Sequence, residues 1–347
     1  MELYVHNWTQ RIGIVSGFQS LRWTRVAQNF GEFCLRTILT PELAEILKEG
    51  YVIEKSDDDD AMMIEDIRVV DAVNQIISCS GRSCGAVLDR RSVWPNEATA
   101  PPMMNGTVLQ IIGTMLDNHA IKPADPRRIL PVAYEPCDGL PADALQRSVS
   151  WRPLGNAVVR LAQERGIGLR SVWRDGIIAI VPYPLSYNSE VFSKARGTIA
   201  TQDRFISMRR FANFAIVAGE GEFPNRAVTT VGSNEVGLQR FERYVNASHL
   251  RQEDFGSDYI NALRDAGMEA LLEAQLYDEF MAEIRQNSLV YKKDYDVGQI
   301  VPFHTERGQD VDRLISEITE TYDENGVAID CVFAPVPIII DEEFADG

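Results

Sequence analysis

The stretch that decides the fold runs from Ile315 to Phe333 and reads ISEITETYDENGVAIDCVF. Two segments rich in β-branched and aromatic residues, Ile315–Tyr322 and Val327–Phe333, flank the turn at Asp323-Glu324-Asn325-Gly326. Asn-Gly tolerates the positive φ angles that a tight hairpin turn requires. The stretch therefore predicts a β-hairpin, and it favours a protein whose core is built mainly on strands.

Strands also dominate at the amino-terminal end. Phe18–Arg25 and Phe33–Ile38 have the aromatic and β-branched composition of strands. Tyr51–Lys55 and Met62–Val70 flank the acidic run Asp57–Asp60, which predicts a second hairpin. Residues 1–97 are therefore assigned to a first β-domain.

The pattern changes between residues 98 and 190. Apolar residues at helical spacing predict one helix that begins at the cap Asn105 and another with Pro153 in its first turn. Leu169–Trp173 and Ile177–Pro182 follow as strands joined at a turn. This block is predicted to be a small α+β insertion domain.

Residues 191–340 are assigned to a second β-domain that contains a helix. Asn213–Ala218 and Ala227–Val231 have strand composition, and Ser257 opens a helix whose acids, including Glu269 and Glu273, are expected to face solvent. The spacing in Leu276–Ile284 suits either a helix or a strand. Residues 341–347 are predicted to be a frayed acidic tail.

The charge of the chain is regional. The 347 residues include 51 Asp and Glu against 34 Lys and Arg, a net charge of −17. From Arg251 to Gly347 there are 23 acids against 7 bases, so nearly all of the excess lies there. Such a field repels polyanions, which argues against specific nucleic-acid binding.

Composition excludes several other classes of protein. The start of the chain has no signal peptide pattern, and the longest apolar stretches are too short for the roughly 20 residues of a membrane span. The five cysteines are an odd number without CxxC spacing. They favour reduced thiols over a disulfide framework or a zinc site.

One short motif could carry catalysis. Gly81-Arg82-Ser83-Cys84-Gly85 matches G-x-S-x-G, the turn that exposes a nucleophilic serine. On chain order alone His119, His249 and His304 are possible partners. The alternating β and α units that such a hydrolase needs are missing, so we interpret the motif as a structural turn.

The remaining candidate sites are weak. Four consecutive aspartates lack the spacing of a calcium loop, and a solvated hairpin tip is the favoured interpretation of Asp57–Asp60. Gly219-Glu220-Gly221 lacks the third glycine of a dinucleotide fingerprint. A pair of carboxylates could cleave a sugar polymer and the five tryptophans could stack against sugar rings. With so many carboxylates in the chain, however, this is weak support for a carbohydrate site. We assign no catalytic, cofactor-binding or metal-binding residues and expect no enzyme.

Read in order, the pieces resemble the tail-tip or baseplate hub proteins of siphophages. The resemblance spans about residues 14–334. It rests on Trp23-Thr24-Arg25, Phe30–Leu35, Leu47–Ile53, Ile64–Ile67, Gly85–Pro95, Ala124–Arg127 with Pro131, Val217–Glu222, Gly237–Arg240 with Glu242, Tyr291–Val301, Ile318 and the Asn325-Gly326 turn.

The resemblance implies two tail-tube-like β-barrel domains, an α+β insertion and a homotrimeric ring. It implies a structural role in the virion, capping or extending the tail tube, anchoring tip components and forming part of the DNA ejection channel. Expected partners are a tail tube or distal tail protein, other tip or fibre proteins, and a tape-measure protein. A tail-associated hydrolase and the hub of a contractile injection particle stay open as alternatives. Some carboxyl-terminal acids are expected to line the channel.

Overall fold

The computed structural model describes residues 1–71, 75–94, 103–148 and 152–337. The strands are β1 (Leu3–His6), β2 (Arg11–Val15), β3 (Ser20–Val26), β4 (Glu32–Ile38), β5 (Val52–Lys55), β6 (Ala61–Asp71), β7 (Ile76–Ser83), β8 (Ser92–Val93), β9 (Met103–Thr107), β10 (Val132–Tyr134), β11 (Ala144–Ser148), β12 (Arg152–Pro153), β13 (Ile167–Arg174), β14 (Ile177–Pro184), β15 (Ser186–Tyr187), β16 (Ile199–Ser207), β17 (Phe214–Ala218), β18 (Val228–Gly232), β19 (Glu242–Asn246), β20 (Tyr277–Ile284), β21 (Gln299–His304), β22 (Asp310–Asp323) and β23 (Gly326–Pro335). The α-helices are α1 (Pro41–Ile46), α2 (Val108–Leu116), α3 (Leu154–Glu164), α4 (Gln252–Phe255) and α5 (Tyr259–Leu272). Shorter helical turns lie at Cys84–Arg90, Asp117–Ile121, Pro126–Arg128, Gly237–Gln239 and Gly256–Asp258.

The hairpin predicted near the carboxyl terminus is confirmed and lies at the centre of the fold. Its strands β22 and β23 pair antiparallel from Asp323↔Gly326 to Arg313↔Pro335. Within the Asn-Gly pair only Gly326 has a positive φ, 117°. The absence of a side chain at this position relieves the strain that the turn would otherwise impose.

One large sheet joins the two ends of the chain. Its strand order is β16-β20-β23-β22-β3-β4-β7-β6-β5-β1-β2, with β21 and β15 branching from β22. The long strand β22 makes the branch possible, because Asp310–Leu314 pairs with β21 whereas Glu317–Tyr322 pairs with β3. The prediction of a mainly β protein is confirmed.

Each half of the sheet curls around its own core. We call β1–β7 the amino-terminal unit, whose core includes Trp23, Phe33 and Leu35. We call β15, β16 and β20–β23 the carboxyl-terminal unit, whose core includes Phe280 and Phe333. Among the described strands neither unit closes into a barrel, so the observed architecture is a continuous open sheet.

The α+β block between the two units is called the insertion unit. It contains the mixed sheet β10-β14-β13, the hairpin-like pair β9 and β11, and helices α2 and α3. Its apolar core continues into the amino-terminal unit through Val52, Met63 and Val87. The cap of α2 is Thr107, which forms a capping box with Gln110, whereas Asn105 lies in β9. The cap expected at Asn105 is therefore wrong.

A further subdomain is inserted between β16 and β20. We call residues 208–276 the β17–β19 subdomain, because α5 covers one face of the sheet β18-β17-β19. The ambiguous segment Leu276–Ile284 is a strand, β20. Glu269 and Glu273 on α5 do not simply face solvent as expected, since both form ion pairs with arginines. In the part of the chain that the structure describes, every helix is too short or too polar to cross a membrane.

Candidate functional site

The outward side of the main sheet is a polar surface that extends across both units. Alternation along each strand buries one set of side chains and directs the other set outward. Cross-strand register places the outward residues in rows. One row contains Thr201, Glu283, Asp330, Thr319, Thr24, Glu32 and Arg82. In the middle of this row Thr24 and Thr319 are 1% and 6% exposed and hydrogen-bond to each other at 3.0 Å. A neighbouring row contains Ala328, Thr321, Arg22, Cys34, Ser80 and Asp66. We call this surface the polar sheet face.

Charge is unevenly distributed over the polar sheet face. In the carboxyl-terminal unit its acids are Asp203, Glu279, Glu283, Glu317 and Asp330. The register also defines the other outward residues of β16, β20, β22 and β23. None of those that the structure describes is Lys or Arg. The arginines of the face lie on the amino-terminal unit. We call the carboxyl-terminal part the acidic half of the face.

The acids of this half interact with one another. Burial raises the pKa of Glu317, and the nearby carboxylates of Glu32 and Glu279 raise it further. Burial, followed by the charge of Glu283, likewise raises the pKa of Asp330. Arg22 opposes both shifts. Negatively charged side chains therefore lie close together near the point where the two units meet, and this surface repels a polyanion.

A shallow depression of about 260 Å³ lies on the amino-terminal part of the face. It is lined by Arg22, Glu32, Cys34, Asp66 and Arg82, among others. Arg82 is held by Glu65 at 2.8 Å and by Asp89 at 2.7 Å. Because its charge is already matched by two carboxylates, Arg82 is not free to bind an anion in this depression.

The acidic run in the first hairpin is only in part the solvated tip that the sequence favoured, since the side chains of Asp57 and Asp59 are 54% and 48% exposed. The hairpin itself is confirmed by the β5 and β6 pairing, but the side chain of Asp58 is 1% exposed. Lys292 binds Asp58 at 3.1 Å, and Arg25 lies 4.0 Å from it. Although burial opposes ionisation, Arg25, Lys292 and Lys55 hold the pKa of Asp58 below its usual value.

A buried ion pair lies next to this loop. Lys55 is fully buried, and its Nζ lies 2.5 Å from Glu320 Oε1. Glu320 belongs to β22, so the pair connects the amino-terminal unit with the carboxyl-terminal unit. Lys55 also lies 5.7 Å from the ring centres of Trp23 and Tyr322. Removing one of these buried charges would leave its partner unpaired inside the protein, which destabilises the fold.

Asp60 connects the same loop to the insertion unit. Its Oδ1 accepts hydrogen bonds from Ser83 at 2.9 Å and Ser171 at 2.8 Å. Burial, followed by the charge of Asp58, raises the pKa of Asp60 to about 7. Trp173 N–H donates to the carbonyl of Asp59 at 2.9 Å. Asp57–Asp60 with Lys55, Arg25, Lys292 and Glu320 form what we call the charged junction of the three units.

The interpretation of Ser83 as a structural residue agrees with its surroundings. Ser83 is 1% exposed at the end of β7, and its hydrogen-bond partners are Asp60 and Ser171 rather than a histidine. His119 is fully buried in the insertion unit, and His304 pairs with Asp310 at 2.8 Å. The described residues therefore contain no serine–histidine pair at this motif.

Two substitutions in the motif have opposite expected results. Ser83→Ala removes one hydrogen bond to Asp60, costs about 1 kcal/mol of stability, and leaves the infectivity of a phage carrying it intact.

Gly85→Val impairs assembly, because a Cβ at Gly85 would lie 2.4 Å from the Phe30 ring. The reason is packing, since Gly85 is not among the glycines with positive φ. Plaque counts and particle yield measure both effects, and lost infectivity in normally assembled Ser83→Ala particles would restore the hydrolase alternative.

The other residues singled out in the sequence have varied surroundings. Trp23 is fully buried, Trp8 and Trp173 stack edge to face at 5.7 Å, and Trp94 is 44% exposed. Trp151 and the tail 341–347 lie outside the described residues. All five cysteines are free. Within the described ranges no cluster of three or more His, Cys, Asp or Glu is arranged to hold a metal ion.

Sequence reasoning missed both the charged junction and the polar sheet face. Lys55, Glu320 and Lys292 are far apart in the chain, and each looks like an ordinary surface residue. One signal was present for the face, because Glu317, Thr319 and Thr321 alternate with Ile318 and Tyr322. That alternation identifies an outward side of β22, but pairing with β3 is needed to extend it across both units.

Comparison with known proteins agrees with this architecture. No curated protein matches the sequence. The fold is similar to the 43 kDa tail protein of prophage MuSo2 from Shewanella oneidensis, with 15% identity, a TM-score of 0.59, and coverage of 98% of this chain and 100% of that one. It is also similar to prophage tail protein gp18 from Listeria monocytogenes EGD-e, with 13% identity, a TM-score of 0.56 and full coverage of both chains.

A more distant similarity connects the fold to a Francisella PdpA–VgrG complex. The identity is 7%, the TM-score is 0.51, and the match covers 98% of this chain and 58% of that one. The family model described as Siphovirus ReqiPepy6 Gp37-like protein matches residues 1–333. The resemblance to siphophage tail proteins is thereby confirmed, and the chain belongs to the Siphovirus ReqiPepy6 Gp37-like family.

Proposed function

We propose that this protein is the structural hub of a phage tail tip, in which three copies form a ring that caps or extends the tail tube. The observation that carries the proposal is the continuous polar sheet face. One sheet runs through both units, buries its apolar side in two cores and leaves a single outward side on which Ser, Thr and acids predominate, with exposed apolar residues at the β16 end. Such a face suits the wall of a water-filled channel through which DNA leaves.

The two units of the sheet supply the symmetry. We interpret each as one tail-tube-like β-barrel unit that is completed by its neighbours in the assembly. Two units in each of three copies present six similar units to a hexameric tube. The units would correspond to residues 1–97 and 191–340, with the insertion domain 98–190 on the outside.

Both ends of the sheet support closure through a neighbouring copy. The end strands β2 and β16 each have one strand neighbour, so each presents unpaired backbone groups on its other side. At the β16 end of the polar sheet face, the rings of Phe205 and Tyr277 contact at 5.3 Å and are 55% and 43% exposed, and the register places both on the same side as Glu279. Met281 adds a further exposed apolar side chain at 48%. Edges and exposed apolar groups of this kind are typical of surfaces that another chain covers.

The role that follows is structural rather than catalytic. The ring would sit in the virion, join a tail tube or distal tail protein, and anchor fibre and tape-measure components. The similar solved proteins from Shewanella and Listeria are described as tail proteins. The similarity to a complex containing VgrG supports the hub of an injection particle as the second candidate, which would use the same ring.

The mass of the purified protein in solution tests the ring. We expect a trimer, alone or after addition of its tube partner, by light scattering on a sizing column. Phe205→Glu with Tyr277→Glu places charge at the β16 edge and shifts the equilibrium to monomer. Leu238→Glu is the matched control, because Leu238 is 91% exposed and lies in the β17–β19 subdomain away from that edge.

A dimer that persists under every condition, including with the tube partner present, would contradict the ring. Dissociation by Leu238→Glu to the same extent would instead place the contact between copies on the β17–β19 subdomain.

A further inference from the structure

The β17–β19 subdomain is attached to the main sheet by two adjacent chain segments. The chain enters it after β16 and leaves it at the start of β20, and these strands pair there at Ser207↔Tyr277. Because both connecting segments lie side by side at this one point, the subdomain can rotate about them, and we call this point the hinge. The core of the subdomain, which includes Val217, Phe255 and Leu263, is built mostly from its own residues and is joined by Met103 of β9 from the insertion unit.

One side of α5 carries three acids at a spacing of four residues: Asp265, Glu269 and Glu273. This spacing places them along a single face of the helix. The face is directed at the insertion unit, where Arg147 of β11, Arg152 of β12 and Arg160 of α3 lie opposite.

The opposed charges form a ladder of ion pairs. Arg152 Nη2 donates to Glu269 Oε2 at 2.8 Å, and Arg160 lies 2.5 Å from the same carboxylate. Arg160 also pairs with Glu273. Arg147 lies 3.5 Å from Asp265. We call these three acids and three arginines the ionic clasp.

The clasp is partly exposed to solvent. A cleft of about 350 Å³ opens beside Arg152, Glu269 and Glu273, and another of about 230 Å³ lies between α3 and α5. The side chains of Arg152 and Glu269 are each 25% exposed. Arg152 and Glu269 form two parallel hydrogen bonds, which makes this pair stronger than a single contact. Because water reaches the pair, salt still weakens it. Arg243, within the subdomain, contacts Glu273 at 3.2 Å and would keep this acid paired after the clasp opens.

From the attachment by two adjacent segments, the core that is mostly its own and the partly exposed ion pairs, we propose that the β17–β19 subdomain moves relative to the insertion unit. The ionic clasp holds it against the insertion unit, and its release lets the subdomain move as a folded body while the main sheet stays unchanged. The ionic clasp is independent of the proposed ring, because none of its six residues belongs to the polar sheet face. Such a movement would let the β17–β19 subdomain change its contacts with other proteins while the polar sheet face keeps its structure.

Energy transfer between two fluorophores tests the motion in the full chain. Labels on non-natural amino acids replace exposed Gln163 on α3 and exposed Ser257 before α5. Raising NaCl from about 0.05 to about 1 M shortens the screening length to about 3 Å. We expect the transfer efficiency to fall over this range. Glu269→Gln with Glu273→Gln should give the low efficiency already at the lowest salt, since both pairs lose their charge.

Glu253→Gln with Asp254→Asn is the matched control. It removes two exposed acids from α4 of the same subdomain, away from the clasp, and should behave as the wild type does. Hydrogen exchange of the α5 amides checks that the subdomain stays folded. Unchanged efficiency in the clasp variant, an equal change in the control, or lost protection of α5 would each overturn the proposal.

Discussion

Lys55→Met should lower the free energy of unfolding of the main sheet by about 3–5 kcal/mol, the usual cost of breaking a buried ion pair from one side. The substitution keeps the length of the side chain but removes the cation that lies 2.5 Å from Glu320. Glu320 is 4% exposed and would retain only the more distant Lys292, at 4.0 Å, as a cationic partner. Native-state hydrogen exchange of β3 and β22 measures the effect where the units join.

Two controls separate charge from packing. Lys48→Met removes an exposed lysine that pairs with Glu45 at 3.3 Å and should cost less than about 1 kcal/mol. Lys55→Met combined with Glu320→Leu removes both charges and should recover much of the loss, because apolar pairs often replace buried ion pairs without penalty. If Lys55→Met costs no more than Lys48→Met, the charged junction does not hold the units together.

Reversing charge on the acidic half of the polar sheet face should convert a surface that repels DNA into one that binds it. Glu283 and Asp330 are cross-strand neighbours on β20 and β23. Glu283→Lys with Asp330→Lys would add six lysines to the channel of a trimer. Each phosphate that is neutralised steepens the dependence of binding on salt by about 0.9 in logarithmic units. We expect duplex binding at low salt in gel-shift assays, and slower DNA release from particles that carry the variant.

The wild-type protein should give no shift at moderate salt. Glu253→Lys with Asp254→Lys changes the net charge equally on α4, outside the face, and should bind much more weakly. A salt-sensitive DNA complex of the wild type would overturn the repulsive channel while leaving the family and the fold unaffected. Equal binding by the two lysine variants would show that net charge, rather than its position on the face, controls the interaction.

The sequence predicted local structure where a short segment carried enough information. The Asn325-Gly326 turn between two β-branched segments predicted the central hairpin, and the sequence also predicted a helix opened by Ser257, which the structure shows as α5 from Tyr259. The sequence also indicated that the G-x-S-x-G motif lacked the surrounding β and α units that a serine hydrolase needs. These features depend on neighbours in the chain, so periodicity and turn chemistry suffice to identify them.

Burial of charged residues could not be predicted in this way. Four aspartates in a hairpin loop normally face water, yet Asp58 and Asp60 are enclosed because Arg25, Lys292 and Ser171 reach them from three separate parts of the chain. Glu269 and Glu273 similarly have arginine partners that lie more than a hundred residues away. A charged side chain is stable inside a protein only when its partner is also there, and sequence alone does not place the partner.

By itself the sequence therefore determined that the chain is mainly β, where its central hairpin turns, and the family that it resembles. The tertiary structure alone decided that β3 and β22 join two units into one sheet, that the outward side of this sheet is acidic in one half, and that the aspartate run is a junction. The physical reason is the range of the interactions. Turns and periodic patterns involve residues within a few positions, whereas strand register and ion pairing over 265 residues, as in Lys55 and Glu320, exist only after the chain has folded.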